Sequence, residues 1–107
     1  MNLSIMASAA GHASDLMKSL ANPHRLLIVC QLIDGERSVN ELAEFLGIRG
    51  TTVSQHLALL RKDGIVSPRR DGQTIWYSIS SESARTILET LYLLYCPKSE
   101  NTGDTQG

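Results

Sequence analysis

The sequence predicts a mainly α-helical domain closed by one small β-hairpin, and three stretches carry that expectation. Residues 49–64, RGTTVSQHLALLRKDG, have helical periodicity, with an apolar seam on one side and short polar side chains on the other. Just before them, Ser38 to Gly47 carries the start and stop signals of another short helix. After Gly64 the hydrophobic period falls from about 3.6 to 2 around Asp71-Gly72, the mark of two strands and a tight turn.

Taken in order, residues 1–8 are small and weakly patterned and are expected to be a flexible N-terminus; the folded domain is expected over 9–97. A first helix is predicted from about Ala9 to Ala21, with Ala13, Leu16, Met17 and Leu20 at helical spacing. Asn22-Pro23 ends it and starts the next, because proline disfavours helical dihedrals at Asn22 and then serves as the first helical residue behind an asparagine cap. The second helix, HRLLIVCQLID, is apolar on more than one side and is predicted to be the most buried, with Gly35 as its stop.

The third helix starts at Ser38-Val39-Asn40-Glu41, a capping box in which hydroxyl and carboxylate each satisfy a free backbone donor. Leu42, Ala43 and Phe45 or Leu46 supply its apolar face, and Gly47 closes it. Only Ile48 and a residue or two separate it from the polar helix. Two short helices joined so tightly, the second polar on its outer face, match a helix-turn-helix.

In that second helix, Val53, Leu57 and Leu60 fall on one face, with Thr51, Ser54, Gln55, Ala58 and Lys62 opposite. Such a polar row suits base edges: glutamine bonds adenine bidentately, threonine combines a hydroxyl with a methyl contact to thymine, and lysine reaches phosphate. In the hairpin, Val66, Pro68, Ile75, Tyr77 and Ile79 alternate with polar residues. A four-residue loop, Arg70 to Gln73, is favoured because it puts Pro68 at a non-hydrogen-bonded pair. Arg69, Arg70 and Gln73 then form a basic tip suited to a phosphate backbone.

A last helix is predicted from Glu82 to Tyr95, limited by Pro97. Its stripe of Ala84, Ile87, Leu88, Leu91 and Tyr95, widened by Tyr92, Leu93 and Leu94, is broader than one internal contact needs and predicts a second subunit. Residues 98–107 are polar and are expected to be a disordered tail.

Composition agrees with one globular domain: 107 residues, 42% hydrophobic and 20% charged. No apolar run reaches membrane-span length, and MNLSIMASAAGHA lacks the basic start and apolar stretch of a signal peptide, so a cytoplasmic protein is expected. Two cysteines in such a chain are expected as thiols. The net charge is −1, yet Arg49, Arg61, Lys62, Arg69 and Arg70 against Asp63 and Asp71 leave residues 49–76 at +3. That local excess is a footprint for phosphate. An enzyme is not expected, since no base sits beside a nucleophile: Ser54 and His56, two positions apart on a helix, diverge by about 200°. The competing reading is a winged helix that binds only protein, which has no need for Thr51, Gln55 and the hairpin arginines to converge.

The segments LANPHRLLIVCQL, ELAEFLGIRGTTVSQHLALLRKDGIV and RRDGQTIWYSI, in this order, resemble the ArsR/SmtB family of small winged helix-turn-helix repressors, over roughly residues 13–96. The resemblance is nearest to the nodulation repressors and the dithiol persulfide-sensing repressors of that family. It implies a homodimer on double-stranded DNA, held by the first and last helices through Leu16, Leu20, Ile87, Leu88, Leu91 and Tyr95. Base reading then falls on Thr51, Thr52, Ser54, Gln55 and His56, and backbone contacts on Ser38, Lys62, Arg69, Arg70 and Gln73. It further implies a redox pair, Cys30 and Cys96. Where relatives bind metal, this chain departs: the third helix reads ELAEF without cysteine, the last has no histidine, and His12, His24 and His56 lie at no ligand spacing. No metal and no cofactor are expected.

Overall fold

A computed structural model describes residues 2–95, with elements in the order α1 (Leu3–Leu20), α2 (Pro23–Leu32), β1 (Arg37–Ser38), α3 (Val39–Leu46), α4 (Gly50–Lys62), β2 (Val66–Asp71), β3 (Thr74–Ile79) and α5 (Glu82–Tyr95). The mainly helical winged helix-turn-helix architecture predicted is the one observed. The expected tail and Cys96 lie outside the described residues.

The helix boundaries follow from capping chemistry. The Asn22 side chain accepts from the His24 and Arg25 N–H groups at 2.9 and 3.1 Å, with Pro23 in the first turn. Around α3 the capping box is closed both ways: the Ser38 hydroxyl accepts from Glu41 N–H at 3.2 Å, and Glu41 accepts from Ser38 N–H at 3.1 Å. Gly47 ends α3 in the left-handed region at φ 69° and turns the chain into α4 within three residues. The α1 start differs from the expectation at Ala9. Asn2 caps it, accepting from Ser4 N–H at 2.7 Å, so the expected flexible segment over 1–8 is helical from Leu3.

The core forms where α2 meets the helix-turn-helix pair and the sheet: Ile28, Val29 and Leu32 of α2 pack with Leu42, Val53, Leu57, Leu60, Ile65, Val66, Ala84 and Leu88. Val53, Leu57 and Leu60, the seam read from periodicity, are removed from water altogether. His56 lies beside that seam, half-buried, its ring edge-on to His24 of α2 with centroids 5.8 Å apart. Burial, with the charge of Arg25 and then His24 nearby, lowers the His56 pKa.

The sheet contains a third strand that alternation did not reveal: β1 pairs with β3, giving the order β1-β3-β2. The expected wing was two-stranded, but two residues ahead of a capping box are too few to show a period. The hairpin loop also differs. Asp71 pairs with Thr74, so the turn is Gly72-Gln73, with Gly72 at φ 65° in the first central position as a II′ turn requires. The proline constraint is met even so. Pro68 faces Tyr77 three pairs from the hydrogen-bonded Asp71–Thr74 pair, which makes it a non-hydrogen-bonded position. Sliding the turn by one residue achieved what a longer loop was expected to do.

Two stability predictions follow from this packing. Ile28→Ala should cost about 2–5 kcal/mol in urea unfolding, against about 1 kcal/mol for loss of the cap in Asn22→Ala. A folded-state His56 pKa below its unfolded value means the unfolded chain takes up the proton more readily. Stability present above about pH 6.5 should therefore fall as the pH is lowered through the folded value, and His56→Phe should remove that part of the slope.

Candidate nucleic-acid interface

The outer face of α4 is assembled by exclusion. Once Val53, Leu57 and Leu60 are fixed in the core, helical geometry turns Thr51, Ser54, Gln55, Ala58 and Lys62 outward, and all five are exposed. Thr52 is half-buried and His56 is turned into the body toward α2. Of the five residues expected to read bases, the structure thus brings together Thr51, Ser54 and Gln55. His56 stands apart from these three, its ring edge-on to His24 and its Nδ1, enclosed by the fold, without a hydrogen-bond partner. The N-cap residue Arg49 makes no side-chain cap bond. Arg49 and Arg61, counted in the local charge excess but given no contact role, add exposed cations near the two ends of the helix.

The expected backbone contacts divide three ways. Lys62, Arg70 and Gln73 are exposed, Gln73 in the turn and Arg70 on β2 near its end. Ser38 is 9% exposed and caps α3, its hydroxyl accepting from Glu41 N–H and keeping its own O–H to donate. Arg69 is engaged by a carboxylate, its Nε and Nη2 each donating at 2.8 Å to the two oxygens of Glu36. That contact holds the Glu36 carboxyl below its ordinary pKa and raises the Arg69 guanidinium. Sequence reading missed Glu36, and no local pattern marks a partner 33 positions away. Arg69 and Arg70, being consecutive on a strand, leave the hairpin on opposite faces.

The residues expected at a subunit interface also divide. Leu20 and Leu88, 4% and 0% exposed, belong to the chain's own core and are corrected to that role. Leu16 and Ile87 are half-buried and line a groove of about 880 Å³ between α1, the end of α4 and α5. Leu91 packs against the core, while Tyr95 is 79% exposed beside exposed Tyr92, Leu93 and Leu94. Cys30 is half-buried on α2 and lines a cleft of about 390 Å³ with Ile33, Asp34, Glu89, Tyr92 and Leu93. Among the described residues no group of three or more His, Cys, Asp or Glu is arranged to hold a metal ion. No described helix is long and apolar enough to cross a membrane.

Comparison with known proteins places this geometry. Residues 22–67 match the family described as bacterial regulatory protein, arsR family. The transcriptional activator HlyU of Vibrio cholerae is 42% identical over 100 residues, 94% of this chain and 93% of its own length. The structure of reduced HlyU from that species aligns with a TM-score of 0.85 over 89% of this chain and 100% of that one. The biofilm growth-associated repressor of Agrobacterium fabrum is 41% identical over 92% of this chain and 85% of its own. A solution structure described as the homodimeric winged helix-turn-helix DNA-binding domain of Mb0332 from Mycobacterium bovis aligns at a TM-score of 0.74 and 29% identity, over 94% of each chain. With its polar helix set out from a helix-turn-helix core and with likeness along nearly its whole length, the chain belongs to the arsR family of bacterial regulatory proteins and is a DNA-binding regulator of transcription.

Proposed function

We propose that the protein is a cytoplasmic repressor that binds a pseudo-palindromic operator as a homodimer, α4 lying in the major groove and the β2–β3 hairpin along the backbone. The observation that carries this reading is the single outward face of α4, where Thr51, Ser54 and Gln55 stand exposed over a wholly buried seam. Those side chains supply donors, acceptors and a methyl group at the spacing of base edges. Arg49, Arg61, Lys62 and Arg70 lie exposed on α4, at its N-cap or on the hairpin, and supply the sequence-independent attraction to phosphate. Occupying a promoter blocks polymerase without a further contact, which is why repression is the outcome proposed.

Two copies are supported by the apolar side chains left in water on α1 and α5: Leu3, Ile5 and Met17 on the first, Tyr92, Leu93, Leu94 and Tyr95 on the last. A two-fold axis there sets two α4 helices about one helical turn of DNA apart. Control by a sulfur link between Cys30 and Cys96 is the regulatory part of the reading. Its support is the position of Cys30 in a cleft bordered by α5, the helix whose last described residue, Tyr95, directly precedes Cys96. Joining α2 to the end of α5 would shift one subunit's recognition helix against the other's.

Recovery of genomic fragments on the purified protein, followed by sequencing, should yield an inverted repeat with half-sites about 10 base pairs apart centre to centre; fragments without dyad symmetry would refute the dimeric reading. On the recovered site Gln55→Ala should lose about 1–3 kcal/mol and relax one base preference, whereas Arg70→Ala should weaken every duplex alike and lower the salt slope by about 1. Leu94→Asp, on an exposed residue, should give a folded monomer by sedimentation that no longer holds the full site. Treatment of the reduced protein with an organic persulfide should add an intramolecular link by mass and release the operator. A Cys30→Ser, Cys96→Ser variant that releases DNA equally well would exclude the switch.

A further inference from the structure

The hairpin is held to the body at its base and is open at its tip. Val66 of β2 is buried and Tyr77 and Ile79 of β3 pack on the core, whereas Arg69 to Thr74 are all exposed. The Pro68–Tyr77 pair is therefore the rung nearest the tip whose β3 side chain packs on the core, and Arg69 is the first residue of β2 beyond it. Across the sheet, Arg69 faces Trp76 on β3 and Trp76 faces Ser38 on β1, so these three share one face of the sheet. Glu36 stands two residues before Ser38, at the head of β1. The bidentate contact between Glu36 and Arg69 therefore spans the central strand and ties the outer strand of the wing to the segment that leads into the capping box of α3.

We propose that Glu36 and Arg69 form a clamp that sets the angle of the wing, and that Arg69 serves DNA binding as a positioning residue through this clamp rather than as a phosphate contact. The inference rests on the DNA-binding reading above and refines it. The Arg69 fork presents two parallel N–H groups to the two carboxylate oxygens, a geometry that fixes orientation as a single point charge does not. What the clamp orients is Arg70, which leaves the opposite face of the strand and stands across from Ile75. With the clamp open, the outer strand loses its tie to the body beyond Pro68 and Arg70 must be ordered at the moment of binding, an entropic cost that weakens association.

The full chain is titrated with a labelled mixed-sequence duplex over a salt series, comparing the parent with Arg69→Lys, Arg69→Ala, Glu36→Gln and Arg70→Ala. The first three variants should each bind about threefold more weakly at an unchanged salt slope, while Arg70→Ala lowers the slope by about 1. Lysine keeps the charge and loses the fork, and Glu36→Gln weakens binding even though it removes a negative charge. Parent affinity in Arg69→Lys together with a lowered slope in Arg69→Ala would make Arg69 a phosphate contact and overturn the clamp. Tighter binding by Glu36→Gln would overturn it as well, making Glu36 a competitor of DNA. In the DNA-free protein, amide hydrogen exchange in β2 and β3 should quicken in the three clamp variants, and the fluorescence of Trp76, the one tryptophan of the chain, should shift with it. Unchanged exchange would overturn the clamp. A parent that fails to bind the duplex would refute the DNA-binding reading instead, and exchange would still decide whether the pair holds the hairpin.

Discussion

Everything the interface offers depends on the burial of three side chains, Val53, Leu57 and Leu60. Each contributes roughly 1.5–3 kcal/mol when taken out of water, so together they fix α4 in rotation as well as in position. A turn of one residue about the helix axis, about 100°, would put Ser54 in the core and a leucine in water, which costs burial on both counts. The polar face inherits its direction from the apolar one. It also inherits freedom: residues outside the seam carry little of the fold's stability, so the fold leaves the identity of a side chain such as Gln55 open.

The parts of the fold that were legible in the sequence are those fixed by local chemistry. Asn22-Pro23, the Ser38–Glu41 box and Gly47 each act on backbone groups within a few residues, and the helix ends they predicted are the ones formed. The start of α5 at Glu82 was likewise legible. The seam of α4 and its outward residues Thr51, Ser54 and Gln55 were legible for the same reason. What escaped was decided across the chain. His56 sits at an angle that periodicity leaves between inside and outside, and the choice was made by His24 on another helix. Leu88 fell on the apolar stripe of α5 with Leu91 and Tyr95, but a stripe does not say which of its residues meet the chain's own core and which meet solvent. Arg69 looked like any wing cation until Glu36 was brought beside it.

The molecule separates its two kinds of exposed surface by element. Cations and small polar groups gather on α4 and the hairpin, and most of the exposed large apolar side chains lie on α1 and α5, with Leu27, Phe45 and Leu59 elsewhere. A link between the two sets exists at the end of α4, where the Ser19 hydroxyl of α1 donates to Asp63, the residue that follows the helix, at 2.5 Å. The Ser19 carbonyl in turn accepts from Arg25 Nε of α2 at 2.7 Å. α1 is thereby joined by polar contacts to the residue that caps α4 and to the core helix on which it rests.

The position of Pro68 has a consequence for the protein in the crowded state of a promoter or an overexpressing cell. β2 is an edge strand, and its outward-pointing donors come from the non-hydrogen-bonded positions Val66, Pro68 and Arg70. Proline has no N–H to offer, so the middle rung of any strand added from outside is missing, and charged Arg69, Arg70 and Asp71 crowd the rest of that edge. Molecules lined up side by side along DNA can bring their wings into contact without zipping them into a continuous sheet. The residue that constrains the hairpin register thus also removes one donor from the open edge of the sheet.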